Sequence, residues 1–425
     1  MDAVRPEPLV MKAVWQFPKE WKAMIRAAPV IRVVGCGKAG AAMATGLEAA
    51  MPSRLKRMVG VVNVPEGYPP SLRKIRLHAA RPVGSNHPTA AGVAGANEML
   101  QLLRDAGPED VAICLISGGG SALLPAPVEG ISLEDKQAVT KLLHACGASI
   151  TEMNAVRKHL SRVKGGRLAE AFRGKLLISL IISDVVGDEL DVIASGPTVP
   201  DRTKFAGAWR VLEKYDLLDR VPDTVRQHLL AGVEGKVAET PKELSYKVVD
   251  RIIGSSEIAL NSAKRKARSA GYTVVDLGVA FDGDTTEVAF EIAGFVASIR
   301  SNVTRFPPPV CMLMGGETTV KLGDSTGMGG RNQEFVLAML IKLGEVGFKN
   351  VCVLSGGTDG EDGPTDAAGA VVTEETLRLS REAGVNPQEF LARHDSYHFF
   401  QQFDGLIRTG LTNTNVMDVR VILIV

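Results

Sequence analysis

Aromatic residues are scarce: Phe, Trp and Tyr make up 5% of the 425 residues, with only 3 Trp. An excess of charge of one sign is lacking too, because 49 Lys and Arg face 48 Asp and Glu and leave a formal net charge of +1. A balanced chain has no global field to recruit nucleic acid or an anionic membrane. The basic stripe with interleaved aromatics that marks a nucleic-acid binder is also missing. Cysteine is sparse. The 5 cysteines (36, 114, 146, 311, 352) are scattered, odd in number and never spaced C-x-x-C. That suits a reducing cytosol and argues against a zinc site. Apolar runs stay well short of the ~18 residues of a spanning helix. Residues 1–17 carry no basic stretch followed by an apolar one, so no signal peptide is expected and the cytoplasm is the expected location.

Glycine is abundant, at 44 of 425 residues, against an average near ~7%. Without low complexity, this suggests many tight strand-to-helix turns. The length exceeds one ordinary core, so two domains are expected. Strand-like runs occur at Ile31–Val34, Met58–Val64, Val111–Ile116 and Leu176–Ser183. Others follow at Val248–Ile253, Val274–Leu277, Val310–Met314, Val351–Ser355 and Val419–Val425. Amphipathic stretches alternate with them, including Ala39–Ala50, Ala91–Ala106, Leu133–Ala145, Thr285–Arg300 and Gln333–Leu343. VAICLI and KLLISLIIS are apolar on both alternating faces, as central strands covered by helices on both sides are. The class is therefore α/β with mostly parallel sheets. The polar stretch Gly232–Leu244 suggests a boundary, giving domains of 1–240 and 241–425.

The chemistry-bearing loops are glycine-rich strand ends. Gly35-Cys36-Gly37-Lys38-Ala39-Gly40 fits G-x-G-x-x-G, and LISGGGS (115–121), LMGGETT (313–319) and VLSGGTDG (353–360) repeat one local design. Such turns let backbone N–H groups approach an anion, or serve only as sharp turns. A nicotinamide site wants an acid about 20 residues on, at the end of the second strand. Asn63 stands there, so the fingerprint is incomplete, whereas Lys38 suits a phosphate or carboxylate. Residues 154–168 are the densest basic stretch. Helical spacing puts Val156, Leu160 and Val163 on a core face and Arg157, Ser161 and Lys164 on another, ending at Gly165-Gly166. That face is a solvated surface or a polyanion clamp. Asp184 and Asp188 bracket Gly187 on one loop, as Mg²⁺ ligands or as turn residues and caps. Arg331 stands at a helix start, where the dipole disfavours a cation. Asp359, Glu361, Asp362 and Asp366 read as a rigid acidic loop for a metal or a hydroxyl-rich ligand. No Walker A motif, protein-kinase signature or G-x-S-x-G elbow is present.

Over nearly its whole length the chain resembles the glycerate 2-kinases whose C-terminal half is the MOFRL domain, a family often named hydroxypyruvate reductase. VVGCGKAGAAMA, LISGGGSALL, MNAVRKHLSRVKGGRLA, ISDVVGDELDVIASGPTVPD, GGETTV, GGRNQE and SGGTDGEDGPTDAAGA carry the likeness. It departs in NHPTAAG (86–92), where the family has an Asp, and in TGLTNTNVMD, where the family is rich in Gly, Pro and Thr. The resemblance implies two three-layer α/β/α domains, Rossmann-like and MOFRL-type, with the active site in the cleft between them. It implies phosphorylation of D-glycerate by ATP with Mg²⁺, the expected product being 2-phosphoglycerate. Lys38, Arg331 and Asp184 are then the expected catalytic residues, with Mg²⁺ at Asp184 and Asp188. Substrate and phosphates are expected at Gly37, Ser117, Gly118, Gly119, Gly120, Ser121, Arg157, Lys164, Ser195, Glu317 and Asn332. The partners are small molecules, without nucleic acid or membrane, and a homodimer stays open. NAD(P)H-dependent reduction of hydroxypyruvate and a nonenzymatic nucleotide or sugar-acid sensor are the competing readings.

Overall fold

The computed structural model describes residues 2–69, 71–82, 85, 87–244, 246–301, 306–323 and 325–425. They form two compact units. One is Pro6–Ile253; the other is Gly254–Val425 together with the N-terminal residues up to Arg5. The polar stretch 232–244 lies within the first unit, because the strand that follows it joins the first sheet.

The first unit is built on β1 (Ile31–Cys36), β2 (Met58–Pro65), β3 (Ile75–Arg81), β4 (Val111–Ile116), β5 (Leu176–Ile182) and β6 (Lys247–Gly254). Their order is β3-β2-β1-β4-β5-β6. The pairings β1–β2, β1–β4, β2–β3 and β4–β5 are parallel. Every residue of β4 and β5 is buried, which is why their sequences are apolar without alternation. Two helices precede β1, Pro6–Trp15 and Lys19–Ala27. Asn86 lies outside the described residues; in the rest of that segment Thr89 caps the helix Ala90–Arg104 by accepting from Gly92 N.

The second unit holds β7 (Thr273–Phe281), β8 (Val310–Gly316), β9 (Val351–Gly357), β10 (Gly369–Thr373), β11 (Leu406–Ile407) and β12 (Asp418–Ile424), in the order β11-β10-β9-β12-β8-β7. Here the expectation of a mostly parallel sheet fails. Only β7–β8 is parallel among the described pairings, while β12 runs antiparallel between β8 and β9. Burial alternates along β9 and β12, so each keeps one less covered face. The helices Thr285–Arg300 and Arg331–Phe348 close the core of this unit around Phe335, Leu337, Met312 and Ile422.

Candidate active site

In the first unit the strand order reverses between β1 and β4, which are neighbours. Open parallel sheets leave a crevice at such a point, outside the carboxyl ends of the strands. Both anticipated glycine loops emerge there and lock together. Ser117 N donates to Cys36 O at 3.0 Å and Lys38 N to Gly118 O at 2.9 Å, while Ala39 N donates to Ser117 Oγ at 3.1 Å. Gly37 has φ +133°, and a Cβ on it would fall 2.0 Å from Ser117 Oγ. Only glycine lets the two loops meet so closely. Ser117 is therefore a buried strut between loops rather than an open ligand group. A Cβ on Gly119 would lie 3.4 Å from Arg81 Nη2 and 3.6 Å from Lys38 Cγ. Two cationic side chains thus lie over the second loop. Arg81, the buried last residue of β3, escaped sequence reasoning because its strand did not register.

Ser121, Ser195 and Lys164 come together beside this loop. Ser121 Oγ and Ser195 Oγ are 3.2 Å apart, and Ser195 Oγ donates to Asn154 Oδ1 at 2.9 Å. Lys164 Nζ is 3.4 Å from Ser121 Oγ and 3.1 Å from Ala194 O. Ala194, Ser195 and Gly196 are all left-handed, with φ of 51°, 62° and 63°. For the two non-glycine residues this is strain of the kind held at functional sites. Gly165 N and Gly166 N brace the turn by donating to Ser195 O and Gly196 O.

The basic stretch is not a helical face, since its helix, Ile150–His159, ends before Ser161 and Lys164. It is not a solvated face either. Lys158 is buried against Asp201 at 3.2 Å, and Lys164 is 2% exposed. Burial holds the Lys164 amine well below the usual lysine range, with Arg157, Lys136 and Lys158 pushing the same way and Cys36 opposing. Burial, with Arg157 and Arg162, brings Lys136 down to about 7. Arg157 enters this group through its charge.

Asp184 follows β5. Burial raises the Cys36 thiol to about 12, with Lys164 lowering it and Asp184 raising it, so this carboxylate is felt at the end of β1. Asp188 sits in a left-handed turn beside Gly187. Among the described residues no group of three or more His, Cys, Asp or Glu is arranged to hold a metal. Two carboxylates make no cage, so any cation held by Asp184 and Asp188 would be a hard, mostly hydrated one such as Mg²⁺. Asn63, at the place of a ribose-binding acid, is buried and donates from Nδ2 to Gly92 O at 3.0 Å and Leu123 O at 2.7 Å. Its Nδ2 ties loops together, its Oδ1 is buried without a partner, and the fully buried side chain is not open to a nicotinamide ribose.

The second unit holds a separate constellation. Arg331 opens the helix Arg331–Phe348 and forms a fork on Asp418, Nε at 2.7 Å and Nη2 at 3.0 Å, with Glu317 at 3.0 Å from Nη1. The carboxylates offset the unfavourable helix dipole. Burial opposes the charge on Arg331, but the bonds and charge of Asp418, then Glu317 and Asp362, hold its pKa above the arginine range. Asn332, expected to touch substrate, is buried and bonded to Asp362, Asp418 and Ser355. Its place is structural. Two acids of the 359–366 loop are engaged within this unit. Both Asp362 oxygens accept backbone N–H groups of Asn332 and Gln333, at 2.9 and 2.8 Å, and cap the helix. Burial raises this carboxyl to about 6 against those bonds. Asp366 is bonded to Tyr397 and Arg408. Asp418 and Arg420, both fully buried, went unnoticed in the sequence. Their only signal is two charges opening an otherwise apolar strand, DVRVILI.

Family models match twice: a domain of unknown function (DUF4147) over residues 1–230 and the MOFRL family over residues 310–418. A glycerate 2-kinase of Pyrococcus horikoshii is 40% identical over 91% of this chain and 85% of its own. A putative hydroxypyruvate reductase of Agrobacterium vitis is 41% identical over 92% and 86%. The crystal structure of the glycerate kinase of Thermotoga maritima superimposes with a TM-score of 0.84 at 34% identity, covering 99% of this chain and 98% of that one. With a DUF4147 half, a MOFRL half and full-length likeness to solved and curated glycerate kinases, the chain belongs to the MOFRL-containing glycerate kinase family.

Proposed function

We propose that the protein transfers the γ-phosphate of ATP to D-glycerate, at the C2 hydroxyl, giving 2-phosphoglycerate and ADP. The observation that carries this reading is the pair of interlocked glycine loops at the strand-order reversal, overlain by Lys38 and Arg81. Phosphoryl transfer asks little covalent chemistry of a protein, and positioning with charge neutralisation dominates. Lys38 and the amides of Gly118–Gly120 would receive phosphate oxygens. For Arg331 the proposed role is neutralising the transferred group, with Asp418 fixing the guanidinium plane and Glu317 as the partner an anion displaces. Asp184 and Asp188 would hold Mg²⁺, which screens phosphate charge when bound. The acceptor hydroxyl must lose a proton. Asp184 is one acceptor, and an uncharged Lys164 behind Ser121 is a second, favoured by its burial.

Hydroxypyruvate reduction finds no support at Asn63, whose Nδ2 is spent on loop carbonyls and whose side chain is fully buried. A cytoplasmic location is supported by five unpaired cysteines, and among the described residues no helix is long and apolar enough to cross a membrane. Purified protein given Mg·ATP, with and without D-glycerate, tests the reading. ADP release that depends on glycerate is expected, with no NADH oxidation on hydroxypyruvate. Hydroxypyruvate-dependent NADH oxidation without kinase activity would replace it.

A further inference from the structure

Four arginines of the first unit, Arg104, Arg162, Arg167 and Arg173, ring one cavity of about 300 Å³, with Glu170 as the single carboxylate on its wall. Among the described residues, ion pairs hold many of the other arginines: Arg32 with Asp110, Arg226 with Asp219 and Asp223, Arg378 with Glu375 and Glu382, Arg408 with Asp366. These four make no ion pair with a carboxylate among the described residues.

Two of them are instead preset by neutral acceptors. Arg162 donates from Nε to Pro127 O at 2.7 Å and from Nη2 to Asn97 Oδ1 at 2.6 Å. Arg167 donates from Nη1 to Ser161 O at 2.9 Å and from Nη2 to Ala238 O at 3.4 Å. Carbonyl bonds fix a guanidinium without cancelling its charge. Arg104, at the C-terminus of its helix, gains from the dipole there, but the dipole does not account for three more cations around the same space. Burial lowers the pKa of Arg162, with Arg104 adding by repulsion and Glu129 opposing; burial likewise lowers that of Arg167 against Glu170, Asp201 and Glu239.

We propose that this cavity is an effector site for a small polyanion carrying two or more phosphate or carboxylate groups. Rigid guanidinium forks match those groups bidentately, and a cavity of about 300 Å³ is at the small end of ligand sites. The site is also mechanically joined to the glycine-loop site. Arg162 and Arg167 flank Lys164 on the segment whose Gly165 and Gly166 amides brace the strained turn at Ser195 and Gly196. An anion that draws Arg162 and Arg167 together acts on the same backbone that positions Lys164 beside Ser121. The binding claim is independent of the kinase assignment; the rate effect rests on it.

The test uses the full chain and two probes, pyrophosphate and citrate, titrated calorimetrically without Mg²⁺ at physiological salt. Arg104→Ser/Arg173→Ser changes two exposed side chains and is expected to fold and to keep the basal rate. Binding of at least one probe is expected to weaken about tenfold or more in this variant and to persist in Lys38→Ala; the tighter probe identifies the class. The same probe is expected to change the glycerate-dependent rate of the unaltered protein and not that of the double variant. Equal affinity in the double variant, loss of binding through Lys38→Ala alone, or binding of neither probe overturns the site. A rate that ignores a bound probe overturns the effector role.

Discussion

Lys38 leaves β1 at a strand end where its own amide is held by Gly118 O and its side chain is laid over Gly119. A cation fixed in this way meets developing phosphoryl charge without reorganising. Lys38→Ala is therefore expected to lower kcat on the order of 10³-fold while the thermal melting curve stays in place; near-normal kcat would remove this lysine from the mechanism. Asp184 makes a different claim. If it helps hold Mg²⁺, Asp184→Asn raises the Mg²⁺ concentration needed for half-maximal rate, whereas Asn would replace it as a cap almost fully. An unmoved Mg²⁺ titration would show the ion lies elsewhere. Lys38 and the loop at 117–121 were legible because glycine density marks close backbone approach in any sequence. Arg81 and Asn154 were not, because their roles arise from strands and turns far apart in the chain.

The N-terminal turn of the helix Arg331–Phe348 gathers Arg331, Asp418, Asp362 and Asn332 into one bonded set. Asp418 is its hub, fully buried between Arg331 and Arg420. Removing one partner of a buried charge cluster leaves the others unpaired, so Asp418→Asn is expected to cost about 3–5 kcal/mol in chemical denaturation. A loss under about 1 kcal/mol would mean that water takes over the role of Asp418. In the segment 150–167 the sequence misled in an instructive way. Val156, Leu160 and Val163 keep helical spacing, yet the helix stops at His159 and the rest is a buried turn. Buried turns are as apolar as helices, so periodicity alone cannot find the end. The electrostatics of this element give a pH prediction. Arg157 depresses the Lys164 pKa, and an amine that must be neutral loses function as pH falls through that pKa. Arg157→Met removes the depressing charge, so the acid limb of kcat/KM is expected to move to higher pH. A limb that stays in place would separate Lys164 from the proton transfer.

Across the whole molecule, the first sheet was readable because strands buried on both faces have continuous apolar sequences, as β4 and β5 do. The second was not. Strand direction leaves no trace in composition, and β12 inserts antiparallel between two strands from earlier in the chain. The ends of both sheets nevertheless carry the glycine-rich turns that the sequence singled out, at Gly37, Ser117–Gly120, Gly315–Gly316 and Gly356–Gly357. The turns of the first unit are proposed to serve phosphoryl transfer rather than hydride transfer. Phosphorus NMR of the protein with D-glycerate and Mg·ATP tests this most directly. A 2-phosphoglycerate resonance growing in step with ADP is expected. An unchanged ATP spectrum, with NADH consumed against hydroxypyruvate by the same preparation, would contradict the proposal.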